Sequence, residues 1–226
     1  LHAPVSVHSS ETKNEVDGCR ERYGKTPTEL FCDLGLFDFG GTAFHCVHVS
    51  PNDIALMKEH GVYVVTCPSS NAKLASGIAP LPEILDAGIP LALGTDGAAS
   101  NNALSMFREM YLCCVLQKLR SADAAAMPAE PVLSAALFEG ALAMGLSDCV
   151  GIEVGRCADL CVIDLCKPNM RPLHNIANNL VYSGGTENVR LTMVAGKILY
   201  ENGEYFIGDS PETIIAAAER AVKEII

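Results

Sequence analysis

Four apolar, strand-prone runs in this chain each lead to a side chain that could bind a metal or carry a proton. Val5-Ser6-Val7 is followed by His8, and Thr42-Ala43-Phe44 by His45. The run 62–67 gives way to Pro68-Ser69-Ser70-Asn71, and Leu91-Ala92-Leu93-Gly94-Thr95 ends in Asp96. A buried parallel strand delivers one polar group in this way to the carboxyl-terminal mouth of a barrel. Each residue also has a plainer reading. Asp-Gly is a common turn pair, and a lone histidine on an apolar strand is commonly a hydrogen-bonded core residue. Two histidines and an aspartate at the ends of three different strands point instead to a metal. Imidazole and carboxylate suit Zn²⁺ or Fe²⁺, and a catalytic site leaves one position open to water. Glu11 stands three residues beyond His8. It could close a capping box or sit in solvent. Beside a metal, a carboxylate within reach of a reacting proton is what hydrolysis needs. His48 and His60 read as surface or supporting groups, and His2 and His174 carry no signal.

The elements that must position these groups alternate. After the first strand comes a helical region broken by Gly18 and Gly24, and a second helix begins near Pro27. The strand at 42–45 continues toward His48. Ser50-Pro51 opens the next helix with an N-cap serine and proline at the first helical position, and that helix stops at Gly61. Pro68-Ser69-Ser70-Asn71 reads as a polar loop. A helix over 81–87 leads to the strand ending in Asp96. The stretch 104–120 is helical, with Leu104, Phe107, Tyr111, Cys114 and Leu119 at roughly helical spacing. Another helix covers 131–144. Short strands follow at 158–164, Val181-Tyr182, 191–194 and 197–200, with Ala195-Gly196 and Asn202-Gly203 as hairpin turns. A helix over 211–226 closes the chain.

Strands alternating with helices argue for a parallel sheet, and four such units make half of an eight-unit barrel. The expected fold is therefore α/β: the carboxyl-terminal half of a metal-dependent (β/α)8 TIM barrel plus part of a small β-sandwich appendage. Residues 1–150 form the half barrel with the metal site, 151–210 the appendage and 211–226 the terminal helix. The chain opens on Leu1 and runs at once into a strand, which reads as the later part of a longer protein.

Composition narrows the class. Of 226 residues, 49% are hydrophobic, enough for a substantial core. The 16 basic and 27 acidic residues give a formal charge of −11, and no basic cluster is long enough to track phosphates. Nucleic-acid and anionic-membrane binding are not expected. No apolar run reaches transmembrane length, and no signal peptide is expected. The ten cysteines form no CxxC pair and read as reduced core thiols of a cytoplasmic protein.

The set His8-Ser9-Ser10-Glu11, Phe44-His45-Cys46-Val47-His48, 68–74 and 94–102 resembles the amidohydrolase superfamily. Within it the chain is most similar to the 5-methylthioadenosine/S-adenosylhomocysteine deaminases of the wider chlorohydrolase-like group. Ala158-Asp159-Leu160 and Met193-Val194-Ala195-Gly196-Lys197 match that group's carboxyl-terminal β segment. The resemblance implies one divalent metal, zinc or else iron, with His8 and Asp96 as ligands. It implies that Asp96 takes a proton from the attacking water, that Glu11 protonates the ring nitrogen, and that His45 orients the nucleophile. Glu11, His45, Asp96 and Ser100 would contact a small nucleoside substrate. The expected reaction is deamination of an adenine nucleoside to its inosine analogue. The same centre could instead displace chloride or another aryl amine, and a non-catalytic scaffold is a further alternative. A homo-oligomer is implied for the full-length protein. The family begins its site with an HxH pair, which this sequence lacks. That absence fits a missing amino-terminal half, since every later motif stands.

Overall fold

A computed structural model describes residues 2–225. Its first sheet has four strands: β1 (Val5–Ser9), β2 (Gly41–His45), β3 (Val62–Thr66) and β4 (Leu91–Leu93). They lie in the order β1-β2-β3-β4, all parallel, with Ser9 paired to His45 and Thr66 to Leu93. Helices make the crossovers: α1 (Lys13–Tyr23) and α2 (Pro27–Asp33), then α3 (Pro51–Glu59), then α4 (Pro68–Lys73) and α5 (Leu81–Asp86). Beyond β4 come α6 (Ala98–Asn101), α7 (Met106–Ser121), α8 (Ala129–Ser134), a π-helical turn (Ala135–Glu139) and α9 (Gly140–Ala143). Four consecutive strand–helix units are half the complement of a (β/α)8 barrel.

Local chemistry explains the helix starts. Thr12, Thr26 and Ser50 each accept from a backbone N–H three residues on. Glu15, Glu29 and Asp53 reach back in turn to complete capping boxes. The core lies between the sheet and its helices. Met57, Leu81 and Ile84 are at most 1% exposed, and each contributes about 1.5–3 kcal/mol by burial. The whole chain exposes 12697 Å², against about 9,900 Å² for a compact monomer of its 24.0 kDa mass. Leu137 and Phe138, in the π turn that packs on β4, are among the large apolar side chains left in solvent, as are Ile152 and Val154. An exposed apolar flank is what four units of an eight-unit barrel should show.

The second sheet is antiparallel: β5 (Leu160–Ile163), β6 (Val189–Val194), β7 (Lys197–Glu201) and β8 (Glu204–Tyr205). Ala195-Gly196 and Asn202-Gly203 form its turns with both residues at positive φ, as two-residue hairpins require. Two further helices, α10 (Ile176–Tyr182) and α11 (Pro211–Ile225), precede and follow these hairpins, and α11 buries none of its side chains. No helix of the described residues is long and apolar enough to cross a membrane.

Several expectations fail locally. Gly18 does not interrupt α1, which runs on to its left-handed Gly24 cap. Pro68-Ser69-Ser70-Asn71 is the start of α4, because proline at the first helical position costs no hydrogen bond. β4 stops at Leu93, three residues short of Asp96. Leu104 precedes α7 and is exposed, and on α7 Tyr111 and Leu119 face solvent, whereas Cys114 is buried together with Glu109, Met110, Cys113 and Gln117. Val181-Tyr182 ends α10 and is not a strand; the Asn175 cap and burial of Val181 against the core override its β-propensity. All ten cysteines are free, but Cys157, Cys161 and Cys166 are exposed and are not core thiols.

Candidate metal and catalytic site

The parallel register places the ends of β1 and β2 side by side, so that His8 and His45 meet with ring centroids 5.0 Å apart. The chain leaves the sheet sharply there. Ser10, His45 and Asp96 all have positive φ, a conformation that costs a non-glycine residue energy and clusters at functional sites. One potential ligand atom from each of His8, His45 and Asp96 lies within 4.8 Å of the others. His8 is exposed, Asp96 half-buried and His45 buried.

The hydrogen bonds around this triad are specific. Asn71 Oδ1 lies 2.7 Å from His45 Nδ1, so that Nδ1 carries the proton and donates it. The other ring nitrogen, Nε2, is buried and has no partner among the described residues. An unpaired buried nitrogen costs about 1–3 kcal/mol. Glu11 Oε2 is 3.9 Å from Nε2. An imidazole nitrogen, a second imidazole and a carboxylate around one point fit a divalent ion such as zinc.

Glu11 does not cap α1. Glu15 does so, closing the box on Thr12 and also accepting from the Ser10 and Glu11 amides. The Glu11 side chain instead receives the Ser76 hydroxyl at 3.3 Å. The Ser76 loop is in turn held by His48, whose Nε2 donates to Ser76 O at 2.7 Å. His60 Nδ1 lies 3.3 Å from Phe37 O, away from the site.

Asp96 Oδ2 accepts two hydroxyls, from Ser70 and Ser100, each at 2.6 Å. Partial burial would raise its pKa. The Ser100 and Ser70 hydroxyls, the Gly97 amide and the neighbouring His45 outweigh that, and hold the carboxyl down at about 2. Asp96 is therefore ionised at neutral pH, as a ligand or proton acceptor must be. Ser100 thus lies at the site, but its hydroxyl is engaged with Asp96. Ser70 and Ser76 took no role in the sequence reading. The polar tract after β3 signalled Ser70, whereas nothing signalled Ser76.

An amidohydrolase-family pattern matches residues 1–199 of the chain. The chain belongs to the amidohydrolase family. It is 41% identical over its full length to the 5-methylthioadenosine/S-adenosylhomocysteine deaminase of Thermoanaerobacter pseudethanolicus, and spans 52% of that protein. It is 39% identical over 99% of its length to a 5′-deoxyadenosine deaminase of Methanosarcina mazei, spanning 51% of it. Among solved structures, a zinc-bound adenosine deaminase of Xanthomonas campestris superposes over 98% of this chain and 51% of its own. The TM-score is 0.92 at 38% identity. This amidohydrolase chain thus spans about half the length of the relatives it matches, which accords with its four barrel strands.

Proposed function

We propose that this chain supplies half of a metal-dependent site that deaminates an adenine nucleoside of the 5-methylthioadenosine or S-adenosylhomocysteine type, releasing the inosine analogue and ammonia. The observations that carry the reading are the convergence of His8, His45 and Asp96 and the unpaired, buried His45 Nε2 beside them. The relatives' names support the adenine nucleoside class.

His8 and Asp96 would hold the metal, zinc in preference to iron. When bound, a divalent ion supplies Lewis-acid activation of water at neutral pH. This chain's residues do the remaining work. His45 Nε2, its tautomer set by Asn71, orients the attacking water. Asp96 accepts a proton from that water and passes it to the departing ammonia. Glu11 protonates the ring nitrogen that gains electrons as C6 is attacked, and its contact with Ser76 keeps the carboxyl on the His45 side. Ser100 contributes to the substrate side of the pocket through its place beside Asp96. The ten free thiols accord with a reducing, cytoplasmic setting.

The test uses the protein carrying both barrel halves, loaded with zinc. Methylthioadenosine, S-adenosylhomocysteine and 5′-deoxyadenosine are offered in turn, and the ultraviolet change from adenine to hypoxanthine is followed with ammonia release. Turnover that is lost on zinc removal is the expected result. Dechlorination of a chlorotriazine with no action on any adenine nucleoside would replace this reading with hydrolysis of another leaving group.

A further inference from the structure

Glu109 is fully buried in α7, a helix whose charged residues would by sequence be expected in solvent. No cation pairs with it among the described residues. A carboxyl is costly to bury and is retained only where hydrogen bonds compensate. Both of its oxygens are engaged. Oε2 accepts from Ser69 N at 2.9 Å, and Oε1 accepts from Asn101 Nδ2 at 2.8 Å. Asn101 is itself 2% exposed, and the same Nδ2 donates to Thr95 O at 2.6 Å. Only this orientation of the Asn101 amide points hydrogens at two acceptors, and it leaves Asn101 Oδ1 without a partner.

Both routes end on Asp96. Ser69 precedes Ser70, whose hydroxyl is on Asp96 Oδ2, and the Thr95 carbonyl belongs to the peptide that leads into Asp96. The Asp96 amide also faces the buried Cys67 sulfur, and Lys73 of α4 ties the turn that follows at Ala99 O and Asn102 Oδ1. The last sheet bond of this segment is Gly94 N to Thr66 O, and Asp96 then turns into the left-handed region.

We propose that Glu109 is a positioning residue. Through Ser69 on one side and Asn101 on the other, it clamps α4 and the 94–101 turn together and so sets the place of the Asp96 carboxylate. The inference rests on the reading of Asp96 as a metal ligand and proton carrier. A carboxylate is needed because both facing groups are donors. A glutamine would set its own NH₂ against one of them. A plainer role exists, since α4 has no side-chain cap on its first turn and Glu109 satisfies one of its free amides.

Glu109→Gln and Asn101→Leu separate the two roles. In the zinc-loaded protein, positioning predicts that each lowers kcat by about 10-fold or more with KM nearly constant, the scale of loss seen for groups supporting metal ligands. With cobalt in place of zinc, the visible d–d spectrum should shift and cobalt affinity fall by a similar factor. Amide hydrogen exchange should quicken at 95–101 in both variants while amides of β2 and β3 keep their protection. A role confined to capping predicts lower thermal stability with unchanged kcat, cobalt spectrum and exchange at 95–101 in the folded variant, and would overturn the proposal. If the unmutated protein neither bound cobalt nor turned over nucleosides, the functional reading would fail. Exchange at 95–101 would still decide the clamp: faster exchange upholds it, and unchanged exchange removes it.

Discussion

His45 Nδ1 donates to Asn71 Oδ1 across 2.7 Å, joining the end of β2 to the first turn of α4. The bond selects the tautomer that leaves Nε2 as the lone-pair nitrogen toward Glu11 and the rest of the site. Asn71→Ala should therefore lower kcat by about 10–100-fold, since partners that fix a site histidine are worth that much. Asn71→Asp keeps an acceptor and should retain more activity than the alanine variant. Steady-state kinetics of the zinc-loaded protein compares them. Equal losses in both would show that the ring is held by something else.

Glu11 and Glu15 should separate cleanly. Glu15→Ala removes a capping-box partner and should cost about 1 kcal/mol of stability, read by chemical denaturation, with turnover little changed. Glu11→Gln should leave stability and bound metal intact while lowering deamination by about 10²–10⁴-fold, the usual worth of a general acid. Metal counted per chain, beside the ultraviolet assay, distinguishes a lost proton donor from a lost ligand.

The Asp96 carboxyl is held at about 2, below its ordinary 3.8. Its ionised form therefore favours the fold of the metal-free protein above pH 3.8, and that contribution is lost as pH falls from 3.8 toward 2. Acid unfolding followed by circular dichroism should begin at higher pH in Ser70→Ala and Ser100→Ala, each of which removes one hydroxyl from Oδ2. Asp96→Asn should flatten this part of the pH profile. An unchanged acid limb in all three variants would mean that Asp96 does not couple to folding.

Away from the site, a hydrogen bond to Asp159, with some burial and the neighbouring Cys157, pushes the Cys149 thiol up to about 11. Since the thiolate is the nucleophile, Cys149 should alkylate slowly at pH 8. Asp159→Asn should speed the reaction several-fold, read by mass spectrometry of the labelled peptide. Labelling of Cys149 at the rate of a simple thiol in the unmutated protein would contradict this.

The sequence by itself determined the α/β class and which polar side chains follow its strands. Apolar runs that lead to His8, His45 and Asp96, and helices opened by Thr12, Thr26 and Ser50, are local signals read within a few residues. The hairpin turns at Gly196 and Asn202-Gly203 are equally local signals, because glycine and asparagine tolerate positive φ, whereas Ala195 is held at positive φ by the hairpin itself. Only the tertiary structure decided which polar groups pair. Glu11 and Glu15 look alike in sequence until Glu15 is found on Thr12 and Glu11 beside His45. The buried face of α7 was legible only in part for the same reason. Its apolar spacing included Cys114, which is buried, but also Tyr111 and Leu119, which are exposed, while packing buried Cys113 and Gln117 and a glutamate that accepts from Ser69 N and Asn101 Nδ2. A side chain's partner across 26 or 40 residues is set by the register of parallel strands and the angle of their helices, and no local pattern encodes that distance.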